Sequence, residues 1–182
     1  VQNYLLGMDV RLATSKFRGD KNMALTLYGL KSSSMFEDEA QREEGREFSW
    51  GIEFAYPNDF LNIKIGHMEI QENFVAGAGF VPRPGVRESY GEVMIGPRPG
   101  KWGIMQIQSG LGLDYISSFQ GQMLTREWSI TPVSFRFLSG DKIGYVLSPT
   151  YEFLDDPFEI YEGYVIPSGG HSFLYHTISL QS

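Results

Sequence analysis

The run Glu47-Phe48-Ser49-Trp50-Gly51-Ile52-Glu53-Phe54-Ala55-Tyr56 puts every large apolar side chain at an even position and Ser, Gly, Glu or Ala between them. Only an extended chain separates two such sets, because successive side chains of a strand point to opposite faces while a helix repeats every 3.6 residues. The pattern recurs. Leu6, Met8, Val10 and Leu12 alternate with Gly7, Asp9, Arg11 and Ala13. Met105, Ile107, Leu111, Leu113 and Tyr115 alternate with Gln106, Gln108, Gly110, Gly112 and Asp114. Shorter cases are Leu61, Ile63 and Ile65, and Val133, Phe135 and Phe137. The chain reads as all-β.

Turn residues divide it into about nine strands, near 2–14, 22–31, 47–56, 60–70, 87–95, 101–115, 124–138, 142–153 and 171–181. The spacing predicts short connections at Ser15–Lys21, Pro57–Asp59, Gly96–Gly100 and Ser139–Asp141. Longer ones are predicted between them, at Ser32–Arg46, Gln71–Val86, Ile116–Met123 and Leu154–Gly170. In an antiparallel up-and-down meander, alternate connections lie at opposite ends of the sheet. One end with tight turns and one with long loops is the asymmetry of a transmembrane β-barrel. The alternating faces agree with it. The apolar face suits lipid, whereas Asp9, Arg11, Glu53, Lys64, Asp114 and Arg136 on the other face are candidate lumen-facing residues. Tyr4, Trp50, Tyr56, Trp102, Tyr115, Trp128 and Tyr145 are candidates for interfacial girdles. Alternation alone also fits a soluble sandwich or lipocalin-like barrel with its apolar face inward. Loop alternation and strand length decide for the membrane.

Composition narrows the function classes. The 182 residues carry 15 basic and 22 acidic side chains, a net charge of −7, and no cysteine. No disulfide scaffold, thiolate metal site or cysteine nucleophile is available. Net acidity argues against a nucleic-acid partner, which needs a basic face. No run reaches the roughly 18 apolar residues of a spanning helix. The chain opens at Val1 with no leader-like segment, and its last strand runs to Ser182. We therefore expect a mature or internal piece of a longer chain, with residues 1–182 forming one partial β-barrel domain that by itself would be an open curved sheet.

Catalytic motifs are weak. Gly96-Pro97-Arg98-Pro99-Gly100-Lys101-Trp102 is one residue short of a phosphate loop, has Trp where a metal-binding hydroxyl belongs, and reads as a turn. His171 and His176 lie an odd number of positions apart and face opposite ways, and His67 continues the Leu61-Ile63-Ile65 face. No serine elbow or zinc-protease pair is present, so no catalytic residue, metal ligand or cofactor is assigned. Phe36–Glu47 holds six acids against two arginines and reads as a solvated loop. Tyr151, Asp155, Tyr161 and Tyr164 belong to an aromatic and acidic stretch suited to sugar contact, since rings stack on C–H faces while carboxylates accept from hydroxyls. Asn73–Arg87 is rich in Gly and Pro and would make a stiff constriction over a rim or lumen.

That last stretch carries a resemblance. Asn73-Phe74, Gly79-Phe80-Val81-Pro82-Arg83 and Val86-Arg87, together with Gly163-Tyr164-Val165-Ile166-Pro167, Gly170, Phe173 and Tyr175, resemble motifs of the bacterial domain-of-unknown-function family 5916. The resemblance marks Gly79, Phe80, Arg83 and Arg87 as a family-motif loop. It implies an outer-membrane β-barrel in a Gram-negative bacterium, preceded by a carbohydrate-binding family-9-like domain upstream. The partners expected are outer-membrane lipid, a saccharide ligand and the remainder of the barrel, and the role expected is binding or uptake of saccharides or similar nutrients. A soluble carbohydrate-active hydrolase and a structural anchor for a surface domain are the alternatives.

Overall fold

The computed structural model describes residues 2–35, 45–77, 79–81 and 83–182. Nine strands form one antiparallel sheet: β1 (Gln2–Phe17), β2 (Lys21–Met35), β3 (Phe48–Pro57), β4 (Leu61–Ile70), β5 (Val86–Ile95), β6 (Ile104–Ser118), β7 (Met123–Phe137), β8 (Lys142–Leu154) and β11 (Gly169–Gln181). Their order is sequential, each strand pairing with the next, so the meander is as expected. A separate hairpin, β9 (Phe158–Tyr161) with β10 (Tyr164–Ile166), interrupts the last long connection. Among the described residues β1 and β11 do not pair with each other, and the sheet stays open.

Two details differ from expectation. The connection expected at Ile116–Met123 is only residues 119–122, because β6 extends to Ser118 and β7 begins at Met123. A register shift between Ile116 and Ser117 lets the strand continue through its serines. Loop-length alternation therefore holds at the other three long connections and fails here, where the connection is shorter than the β5–β6 one (96–103) that was expected to be short. The second detail is Pro132 inside β7, flanked by strands on both sides. Proline gives no hydrogen to a ladder and belongs at a bulge. Both neighbours show one: Gly110↔Thr131 is followed by Gln108↔Ser134, and Ile130↔Leu147 by Ser134↔Gly144.

Register turns the sequence alternation into rows. One row runs Leu12, Leu25, Phe54, Ile65, Gly91, Leu113, Trp128 across seven strands. The adjacent row on the opposite face runs Arg11, Thr26, Glu53, Gly66, Tyr90, Asp114, Glu127. The first face is apolar and the second polar. On the polar face, side chains meet across intervening strands. Tyr90 on β5 reaches Glu53 on β3, and Gln106 on β6 reaches Asp59 in the β3–β4 turn. The sheet therefore curls toward the polar face, which is the inner one.

There is hardly a core. Among the described residues only Ala24, Phe74, Val86 and Leu124 are buried apolar side chains. Leu6, Met8, Leu12, Ile178 and Leu180 are each more than 60% exposed on the outer face of the edge strands. The accessible surface is 12474 Å². A compact water-soluble monomer of this 20.6 kDa mass would expose roughly 8,900 Å². Area of that size is left for another medium or partner to cover.

Candidate functional site

The inner face is the candidate site. All six residues expected to face a lumen (Asp9, Arg11, Glu53, Lys64, Asp114 and Arg136) fall on it by register. They do not form one cluster, and glycines decide which of them meet. Tyr90 lies flat across Gly66, the β4 residue opposite it, so its hydroxyl donates to the Glu53 carboxylate on β3 at 2.7 Å. Lys64 reaches the same carboxylate at 3.1 Å, and its ammonium stands 5.3 Å from the Tyr90 ring centroid. Tyr28 repeats the arrangement over Gly51, with its hydroxyl 3.7 Å from the Met68 sulfur on β4. A Cβ at either glycine would stand inside the ring, so glycine is the residue that lets a tyrosine bridge two strands. Neither tyrosine was singled out from sequence. The signal available was a Tyr on the polar side of an alternating run.

Beyond this lattice the inner face opens into a concavity of about 410 Å³. Gly110 and Gly112 form part of its floor, and Lys64, Glu92, Asp114, Glu127, Ser129 and Thr131 line it. Asp114 and Glu127 are direct cross-strand partners on this face, a like-charge pair that opposes sheet pairing. The concavity thus offers carboxylate acceptors, hydroxyls and one ammonium beside an aromatic ring, groups that fit a polyhydroxylated solute. Nothing in it pairs a nucleophile with a base.

At the short-turn end, Arg98 forms a two-point contact with Asp59, and Gln106 donates to the carbonyl of Gly96 at 3.1 Å. Hydrogen bonds from Arg98 hold the Asp59 carboxyl below the usual carboxylate range. Arg136 lies on β7 directly opposite Gln106, in the same row. Its Nε is buried without a hydrogen-bond partner among the described residues.

At the opposite end the β4–β5 connection folds over the inner face. Asn3 on β1 clamps it, donating to the Val75 carbonyl at 3.2 Å and accepting from the Gly77 N–H at 3.0 Å. The Ser32 hydroxyl accepts from the Val75 N–H, and Phe74 is buried beneath. Arg83 reaches Asp155, beyond β8, at 3.4 Å. Described residues of the connection thus contact β1 at one side of the sheet and Asp155, just after β8, at the other. Gly79 is part of the connection, and Phe80 is 86% exposed.

Arg87 is different. It lies within β5 on the outer face, hydrogen-bonded to Glu69 at 2.9 Å, and adds no charge to the connection. The period-two rule puts it on the other side from Glu88 and Tyr90. The four residues expected to contact sugar are also dispersed. Tyr161 and Tyr164 pair in the β9–β10 hairpin with ring centroids 6.2 Å apart. Asp155 is engaged by Arg83, and Tyr151 sits on the outer face of β8 opposite Arg126. The acidic stretch expected at Phe36–Glu47 lies largely outside the described residues.

His67 keeps to the outer face, as its spacing implies, with Nδ1 2.8 Å from the Ser89 hydroxyl. His171 and His176 point to opposite faces of β11. Compared with protein-family models, with curated proteins and with solved structures, the chain matches none.

Proposed function

We propose that this sheet is part of the wall of a bacterial outer-membrane β-barrel, with its apolar face against lipid and its polar face lining a wet lumen. The observation that carries the reading is the division of the two faces in a sheet with almost no core. Large apolar side chains that a soluble protein would bury stand exposed on one face. Away from the first turn (16–21), the charged residues of that face are Lys31, Glu69, Arg87 and Arg126, all in the half nearest the long connections. The nine strands of the main sheet are 10–16 residues long, enough for the about 9–11 that a tilted spanning strand needs. One outer row changes character along its length. Val10, Leu27 and Ile52 give way to His67, Ser89, Tyr115 and Arg126. Strand tilt produces that change, because a row of paired residues climbs relative to the barrel axis.

The role proposed is binding or passage of saccharides or similar polar nutrients. The hydroxyls and carboxylates of the inner concavity, the β4–β5 connection and the exposed tyrosines of the β9–β10 hairpin support it. Membership of the family-5916 group, with a sugar-binding domain upstream, is proposed on the motif residues alone. The barrel reading requires further strands between β1 and β11, which do not pair with each other among the described residues. The test is fractionation of cells producing the intact protein. It should remain in the membrane through a high-pH wash and leave only with detergent. Recovery as a soluble, folded monomer in plain buffer would overturn the proposal.

A further inference from the structure

The outer face is not evenly filled. Gly91 on β5 has no side chain in a row where its neighbours are Ile65, Leu113 and Trp128, and the gap is a groove of about 480 Å³. Toward the long connections the next row passes Arg126, and the row beyond it passes Arg87. At two residues per row these cations stand about 7 and 13 Å along the strands from the groove.

Arg87 is held in place. Its Nε donates to Glu69 at 2.9 Å, and its guanidinium lies 4.6 Å from the Phe119 ring centroid. No hydrogen bond from its two terminal nitrogens is made among the described residues. Arg126 is exposed between Tyr115 and Tyr151, with no ion-pair partner among the described residues. An apolar groove that runs up to two cations, with a single carboxylate beside them, has the polarity of an anionic lipid: chain below, headgroup above.

We infer that this part of the outer face is a specific lipid site, in which the groove at Gly91 seats an acyl chain and Arg87 and Arg126 hold the phosphate of its headgroup. The inference rests on the barrel reading, since it takes the groove to lie in the membrane. Planar guanidinium groups suit it, because they bind phosphate oxygens in pairs. The groove needs glycine for space and not for backbone conformation. A Cβ at Gly91 would meet only Ile65 Cγ1 and the Lys64 carbonyl, both at an ordinary 3.9 Å. Gly91→Leu should therefore fold while filling the groove.

The experiment uses the intact protein with Trp128 as its only tryptophan, in phosphatidylcholine vesicles. Brominated phosphatidylcholine should quench Trp128, since that ring lines the groove, and absence of quenching would overturn the barrel reading and this inference together. Brominated phosphatidic acid should then compete for the site ahead of brominated phosphatidylcholine. Each cation near a membrane surface is worth about a fivefold preference for anionic lipid. Arg126→Gln should lower the preference by that factor, and Gly91→Leu should abolish it while leaving bulk quenching in place. Strong quenching with equal affinity for the two lipids would overturn the lipid site and leave the barrel standing. So would displacement of phosphatidic acid by inorganic phosphate at low concentration, which would make the site one for a soluble anion.

Discussion

Gly66→Ala should destabilise the protein, although the same change in a strand ordinarily does the reverse. Removing glycine from a strand interior usually gains about 0.5–1 kcal/mol. Here a methyl would stand inside the Tyr90 ring, with Cε1 only 2.8 Å away, so the ring must leave. Its departure breaks the hydroxyl's bond to the Glu53 carboxylate and strips Lys64 of its aromatic neighbour. A hydrogen bond to a charged acceptor contributes about 1.5–3 kcal/mol. Glu53 keeps a third of its side-chain surface exposed, which places this one at the low end. Subtracting the backbone gain leaves a net loss of about 0.5–1 kcal/mol. The assay is urea unfolding of the refolded protein in detergent micelles, read as a change in midpoint at constant slope. The control is Tyr90→Ala. Without the ring, Gly66→Ala should revert to its ordinary stabilising sign, giving a coupling of about 1.5 kcal/mol between the two positions. Stabilisation by Gly66→Ala in both backgrounds would refute the bridge across β4.

Other outcomes follow from the same geometry. Leu113→Arg, on the apolar face, should cost about 2–4 kcal/mol in a bilayer, while Thr131→Arg on the inner face should cost far less; equal costs in reconstituted protein would contradict the assignment of faces. Asn3→Ala removes both clamps on the β4–β5 connection. It should speed proteolytic cleavage between residues 71 and 85, with the sheet left intact by circular dichroism. The lowered Asp59 carboxyl contributes stability that is fully present above the ordinary carboxylate range and is lost as pH falls through its folded value. Asp59→Asn should therefore flatten the acid limb of the stability profile, and an unchanged limb would show that the Arg98 pair contributes nothing there.

Much of the fold was legible because strand periodicity is a local property. Phe48 to Tyr56 can sort onto two faces only as a strand, and the same rule places Asp9, Arg11, Glu53, Lys64, Asp114 and Arg136 together on one face. What escaped was non-local. The β9–β10 hairpin is too short to show a period, so Phe158–Ile166 reads as loop. The β6–β7 connection looked long because Ser117 and Ser118 resemble turn residues, while a shift of register keeps both in the strand. Arg87 was grouped with a loop by its motif, yet its pairing with Glu69 makes it a strand residue of the outer face.

Local sequence alone makes this an all-β chain with one apolar and one polar side to each strand, because side-chain direction in an extended chain alternates residue by residue until a bulge resets it. Which residues meet was decided only by the tertiary structure. Alternation says that Tyr90 and Glu53 share a face, but not that Gly66 lies between them and lets the ring cross. It says that Ile65, Leu113 and Trp128 are apolar and coplanar, but not that Gly91 leaves a groove among them beneath Arg126 and Arg87. Those facts depend on register between strands far apart in sequence, which interstrand pairing sets and no single segment contains.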